Sequence, residues 1–319
     1  MGSEPLDLGV VGVSEGNGHP YSFSAIVNGY DDAAMAAAGW EVIRDYLREA
    51  DPSEFGFEGV SVTHAWTQDP AETERLRAAA RIPNAVEDLE ALREAVDAVL
   101  LLRDDHERHV DLALPFLEAG VPTFLDKPLA LDPGDVETLR PYLESGLLMS
   151  CSGLRYAREL DGPRARVDEY GDLRLVRAAV LNDWAAYGVH MLDAVFGVLD
   201  ARPTSVRAVE GGGGERTGRN DHTAVAVTMD DGTLFAVDVL GDVPLTFEVA
   251  LYGSERTSRH ELRDNFRAFR RTLWHFLETV RTGEPSLAPR ETLDVLRVLI
   301  AGRRSLAAGE RVHLDDLEV

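Results

Sequence analysis

Two residue types are almost missing from this chain of 319 residues. It has one cysteine, Cys151, which excludes an internal disulfide and a zinc site built on thiolates. No metal centre is expected. It has one lysine, Lys127, and every other of its 32 basic side chains is an arginine. Basic residues are also outnumbered, because 56 acidic side chains leave a formal net charge of −24. Nucleic acid and anionic membrane surfaces need clustered Lys and Arg, so both are excluded as partners. No run approaches the roughly 20 apolar residues of a membrane span. The start, Met1-Gly2-Ser3-Glu4-Pro5, has neither a basic stretch nor an apolar one, so no secretory signal is expected and the location is expected to be cytoplasmic. An acidic surface with almost no lysine also suits a salt-adapted or GC-rich origin.

What is present is a hydrophobic content of 45%, enough for a sizeable core, in a chain long enough for two domains. In residues 1–127, short apolar runs alternate with helical patterns. Strands are expected at 6–13, 60–66, 98–102 and 122–125. Helices are expected at 21–28, 33–49, 70–80, 88–95 and 106–119. Asp69 with Pro70 reads as a helix start, and Gly120 as a helix stop. This rhythm predicts βαβ units and a parallel sheet. In residues 128–319 the pattern changes to strands at 173–181, 205–209, 223–229, 233–240 and 245–252. Asp230-Asp231-Gly232 reads as a hairpin turn, and the glycines at 211–214 as a flexible loop tip. Helices at 265–281 and 289–308 close the chain. The fold class is therefore α/β, an N-terminal dinucleotide-binding domain followed by an α+β domain with a mainly antiparallel open sheet.

Three stretches carry candidate chemistry. Gly12, Ser14, Gly16 and Gly18 lie in the turn after the first strand, where glycines let a backbone approach a pyrophosphate and a helix start favours the anion. Ser14 stands where a regular G-x-G-x-x-G has its second glycine. Leu125-Asp126-Lys127-Pro128-Leu129 puts the single ammonium at a strand end, where lysine can share a proton as arginine cannot. Tyr187-Gly188-Val189-His190 places a phenol and an imidazole one helical turn apart, with Asp193 a turn further on. Lysine, histidine and tyrosine together suit movement of a hydroxyl proton.

These motifs, with Ser152-Gly153-Leu154-Arg155-Tyr156 between them and Thr282-Gly283-Glu284-Pro285-Ser286 near the end, occur in an order that resembles the Gfo/Idh/MocA oxidoreductases. The resemblance covers nearly the whole chain. It implies a Rossmann domain, NAD or NADP as cofactor, and sugars, sugar acids or cyclitols as substrates. It further implies a homo-oligomer, a dimer or tetramer, built through the C-terminal sheet. On it, Lys127, His190 and Tyr187 are catalytic. Gly12, Ser14, Gly16, Gly18, His19, Trp66, Thr67, Asp104, Asp126, Lys127 and Pro128 bind cofactor. Arg155, Tyr156, Asn182 and Trp184 line the substrate.

The chain departs from that pattern at four places. Ser14 alters the glycine loop. Trp66 and Thr67 stand where an acid for the ribose is expected. Asp104, Asp105 and His106 replace a Thr-Pro-Asn, with His109 kept. Ala186 replaces an aspartate four residues before the histidine, a role left to Tyr187 or Asp183. The main expectation is hydride transfer between an alcohol and a nicotinamide. The alternatives are an NAD-using enzyme without net redox change (a lyase or glycoside cleavage), or a non-catalytic sensor of dinucleotide or sugar.

Overall fold

A computed structural model describes residues 5–210 and 222–317 of the chain; the glycines at 211–214 lie outside the described residues. It divides into two compact units, each assembled from separate stretches of sequence. The first comprises Met1–Ala130, Glu137–Ser150 and Phe269–Leu287; the second comprises Leu131–Val136, Cys151–Ala268 and Ala288–Val319. The expected single cut at 127/128 therefore gives way to a chain that passes back twice. The reason is visible in the first core, where Phe276 meets Phe124 edge-on at 5.9 Å and Phe269 packs on Phe23 at 5.0 Å. A C-terminal segment thus completes an N-terminal core.

The first unit holds a six-stranded parallel sheet. Its strands are β1 (Leu6–Val11), β2 (Val60–Trp66), β3 (Asn84–Ala85), β4 (Ala98–Leu101), β5 (Thr123–Leu125) and β6 (Leu148–Met149), in the order β3-β2-β1-β4-β5-β6. β1 and β4 are fully buried over most of their length, which is why they read as apolar runs without alternation. The strand order reverses beside β1, and ligands of such sheets bind at the carboxyl ends of the strands there. The helices are α1 (His19–Asn28), α2 (Asp32–Ala37), α3 (Glu41–Glu49), α4 (Pro70–Ala80), α5 (Leu89–Ala95), α6 (His109–Leu117) and α7 (Pro133–Glu144). Asp69 caps α4 by accepting from Ala71 N–H at 2.9 Å, with Pro70 in the first turn, as its sequence predicts.

Two differences from the sequence reading have local causes. The helix expected over 33–49 is broken, because Gly39 adopts φ +84 and Trp40 turns back to pack on Tyr21 at 5.8 Å. α7 was not foreseen, since Pro141 inside it argues against a helix; its buried Val136, Leu139 and Leu143 supply the apolar stripe that holds it.

The second unit contains a seven-stranded sheet: β7 (Leu173–Val180), β8 (Pro203–Glu210), β9 (Thr223–Met229), β10 (Leu234–Val239), β11 (Phe247–Gly253), β12 (Thr257–Glu261) and β13 (Val312–His313). The order is β12-β11-β7-β10-β9-β8-β13, and only the β10–β7 pairing is parallel. β9 and β10 form the hairpin expected at residues 230–232, with Gly232 at φ +88. Alternation puts Val176, Ala178 and Val180 on one face and Arg177 and Ala179 on the other. The buried face packs on α9 (Trp184–Phe196) and α11 (Pro289–Ala308). The remaining helices are α8 (Asp161–Ala165), in this unit, and α10 (Asn265–Thr282), most of which belongs to the first. Among the described residues no helix is long and apolar enough to cross a membrane.

Trp184, expected to line the substrate, is the hub of this packing and also borders a surface cleft with Asn182 and Asp183. It is 4% exposed, and its Nε1–H donates to the Leu299 carbonyl at 3.0 Å. The indole lies against Gly188 and Gly302; a Cβ at residue 302 would sit 2.4 Å from Nε1. Gly302→Ala should therefore cost about 1–3 kcal/mol by overpacking. At ~2–4 °C per kcal/mol for a unit of this size, the thermal midpoint should fall by about 2–12 °C, read by calorimetry.

Candidate functional site

At the carboxyl ends of β1, β4 and β5 the first unit gathers Ser14, Asn17, His19, Asp104, Asp126 and Lys127. Asp126 follows β5 and is 2% exposed. Its Oδ2 accepts from Asn17 Nδ2 at 2.9 Å and lies 2.6 Å from His19 Nδ1, while Oδ1 accepts the Lys127 backbone N–H at 2.8 Å. Burial by itself would raise this carboxyl. The charge and hydrogen bond of His19, the charge of Lys127 and the Asn17 amide outweigh it and hold Asp126 below the usual carboxylate range. The His19 ring is fixed edge-on against Phe269 at 5.3 Å. Asn17 also accepts from the His19 backbone N–H at 2.9 Å, which closes the loop onto the start of α1.

Lys127 is 6% exposed and is followed by a cis bond to Pro128. Its Nζ reaches Asp104 Oδ2 at 3.5 Å. Ser14 Oγ donates to Asp104 Oδ1 at 2.5 Å and accepts from the Asp104 N–H at 3.1 Å. The serine that interrupts the glycine pattern is thus the residue that holds Asp104. His109 braces the same end, its ring nitrogens lying 2.9 Å from the Leu129 carbonyl and 2.7 Å from that of Arg103.

The loop after β1 has an unusual donor pattern. In the first turn of α1, the His19 amide is taken by Asn17, Pro20 has none, and the Tyr21 amide bonds to the Gly18 carbonyl at 3.1 Å. By contrast, the amides of Ser14, Glu15, Gly16 and Gly18 donate to no described residue. Gly16 has φ +77, with nothing within 4 Å of where a Cβ would stand. Gly12 and Gly18 serve packing, against Pro20 and against Trp40 and Ile43. An anion at this end would rest on the loop amides, not on the helix start.

Trp66 ends β2, and its Nε1–H donates to the Glu87 carbonyl at 3.3 Å. Thr67 builds the turn into α4, its hydroxyl donating to the Asp69 carbonyl at 2.7 Å. That hydroxyl is committed locally, so Thr67 supports the site without facing a ligand. Gln68 and Arg103, neither anticipated, tie this turn to the β1 loop by donating to the Val13 carbonyl at 2.7 and 2.8 Å.

In the second unit, His190 and Tyr187 lie on α9, half-buried. The imidazole stands edge-on to Tyr187 at 5.5 Å and to Phe247 at 5.6 Å. Asp183 accepts from Ala186 N–H at 3.0 Å as the N-cap of α9, which accounts for its carboxylate and leaves Tyr187 beside the histidine. Arg155, offered as a substrate contact, is 5% exposed and ion-paired with Asp193 at 3.2 Å and with Glu291. Its charge is balanced inside the unit. Burial raises the Asp193 carboxyl, against the opposing pull of Arg155 and the Ser152 amide. Tyr156 is pushed well up by burial. Asn182 has φ +61 and bridges to the Gly241 carbonyl at 2.8 Å. Asn17, Ser152 and Phe247 were missed, because a turn asparagine, a serine and a strand phenylalanine carry no signal without their partners.

Asp126→Asn should destabilise the protein by about 2 kcal/mol or more at neutral pH, by removing a buried, fully bonded charge. A depressed folded-state pKa contributes stability above the ordinary carboxylate range and loses it as pH falls through the folded value. The difference between wild type and variant should therefore shrink below about pH 4. Urea unfolding of both proteins across pH 3–7 measures it; a gap that does not vary with pH would contradict this account.

Residues 35–146 match the family model described as "Oxidoreductase family, NAD-binding Rossmann fold". No curated protein sequence matches the chain. Among solved structures, the chain is similar to apo scyllo-inositol dehydrogenase from Lactobacillus casei, with a TM-score of 0.77 and 14% identity over 99% of this chain and 100% of that one. Myo-inositol 2-dehydrogenase from Lactobacillus plantarum gives 0.76 at 15% identity, covering 97% and 99%. A myo-inositol dehydrogenase from Corynebacterium glutamicum gives 0.74 at 15%, covering 98% and 100%. At such identities the likeness is one of fold. Over residues 35–146 the chain is similar to the NAD-binding Rossmann domain of the Gfo/Idh/MocA oxidoreductases.

Proposed function

We propose that the protein is an NAD-dependent dehydrogenase acting on a CH–OH group of a cyclitol, sugar or sugar acid. The observation that carries this reading is the buried ammonium of Lys127 at the carboxyl end of the parallel sheet, braced by Asp126 and Asp104. The chain's residues fit a dinucleotide there. The unclaimed amides of Ser14, Glu15, Gly16 and Gly18 suit its diphosphate, and Gly16 leaves room for it. Bound NAD supplies a hydride acceptor or donor.

Lys127 has three N–H donors and one long ion pair, to Asp104 at 3.5 Å. Two donors remain to polarise a substrate hydroxyl by hydrogen-bonding to its oxygen. In the second unit, His190 is the other group suited to handle a proton, and its ring is held by Tyr187 and Phe247. The solved structure of scyllo-inositol dehydrogenase from Lactobacillus casei with NAD(H) and scyllo-inositol supports cyclitols as the first substrates to try. A cytoplasmic location follows from the same reading, since dinucleotide pools are intracellular.

We also propose a homo-oligomer, a dimer or tetramer, through the open face of the seven-stranded sheet. Opposite the helices, that face presents small side chains in register, with Ala250 and Ala236 flanking Arg177 and Ala226 next to Ala236. Small residues let a second sheet approach closely.

Lys127→Ala should lower kcat for cyclitol oxidation by about 10²–10⁴ while circular dichroism stays unchanged. Nicotinamide absorbance follows the rate, and a near-normal rate would sink the assignment. Product formation without an absorbance change would instead point to chemistry without net redox change. Ala250→Arg should shift the sedimenting species to a smaller size; an unchanged size would remove this face as the interface.

A further inference from the structure

The mechanism above leaves Ser152 unused. It is fully buried and caps the turn at Gly153–Tyr156. Its backbone N–H donates to Asp193 Oδ2 at 2.7 Å, and Asp193 is itself held by Arg155. Its Oγ accepts from the Leu154 N–H at 3.2 Å and lies 2.7 Å from His190 Nδ1. Ala186, one turn before the histidine, has only a methyl group.

A serine hydroxyl has one proton to give and two acceptor sites. The Leu154 amide takes one acceptor site. Among the described residues, the one acceptor within reach of the hydroxyl proton is His190 Nδ1. If Nδ1 carried the ring proton instead, Oγ would accept twice and its own proton would be buried without a partner, out of reach of water. Buried polar hydrogens are rarely left so.

We infer that Ser152 is a positioning residue that sets the neutral His190 ring in its Nε2–H tautomer. The ring then offers a hydrogen-bond donor at Nε2, not a lone pair. In the neutral ring, His190 meets a substrate oxygen as a donor and takes no proton at Nε2. A carboxylate in its place would favour the opposite tautomer. What His190 does for the substrate rests on the dehydrogenase reading; the tautomer does not.

The test is long-range 1H–15N NMR of protein labelled in its histidine rings, without ligand, at a pH where His190 is neutral. The His190 signals are identified by their loss in His190→Gln. Wild type should show a protonated Nε2 and an unprotonated Nδ1. Ser152→Ala should shift the ring toward Nδ1–H, and Ser152→Thr, which keeps the hydroxyl, should retain the wild-type pattern. An Nδ1–H ring in wild type overturns the inference, as does an alanine variant with the wild-type pattern. In turnover, Ser152→Ala should lower kcat on the order of tenfold with KM changed by less than about twofold, and threonine should restore it. The expected spectra with no turnover of any cyclitol would sink the dehydrogenase reading alone.

Discussion

Burying a charge is unfavourable unless it is paired and hydrogen-bonded, and Asp126 meets that demand with every neighbour it has. One oxygen takes Asn17 and His19, the other the Lys127 amide. Those partners come from the loop after β1 and from the residue that follows β5. The carboxylate therefore fixes the loop that carries the unclaimed amides relative to the strand end that carries the lysine. Remove it, and both the loop of unclaimed amides and the ammonium lose their common anchor.

The second unit repeats the device with different chemistry. Asp193 is buried against Arg155, which Glu291 also pairs, and it reaches the histidine only through Ser152. In each unit a buried carboxylate braces a candidate proton-handling side chain, Asp126 next to Lys127 and Asp193 behind the serine that meets His190. Asp104 differs, being partly exposed and in direct reach of Lys127. Its rigidity comes from Ser14, so the residue that spoils the glycine pattern is what makes the aspartate usable.

Much of the fold is legible because its signals are local. The start of α4 needs only Asp69 and Pro70, and both act on the backbone within a few residues. β9, β10 and the turn between them follow from alternation and from Gly232. α7 was hidden because Pro141 contradicts a helix locally, and only the packing of Leu139 and Leu143 overrides it. β12 was hidden for a related reason. Its Thr-Ser-Arg-His-Glu run has no apolar face, and it is a strand because β11 offers an edge to pair with. The unit boundaries were hidden because Phe269 and Phe276 complete a core begun more than a hundred residues earlier.

The sequence by itself determined which side chains can do the work. A single lysine beside an aspartate and a proline, and a tyrosine one turn before a histidine, are facts of composition and spacing. Tertiary structure decided how those groups are held, because hydrogen bonds join residues far apart in the chain. Asn17 meets Asp126, Ser14 meets Asp104, and Ser152 meets His190 across sequence gaps that no local pattern spans. It also gave two expected substrate contacts structural partners. Trp184 is enclosed by Gly188 and Gly302, and Arg155 by two carboxylates, since an indole and a guanidinium look the same in a sequence whether they face a pocket or a core.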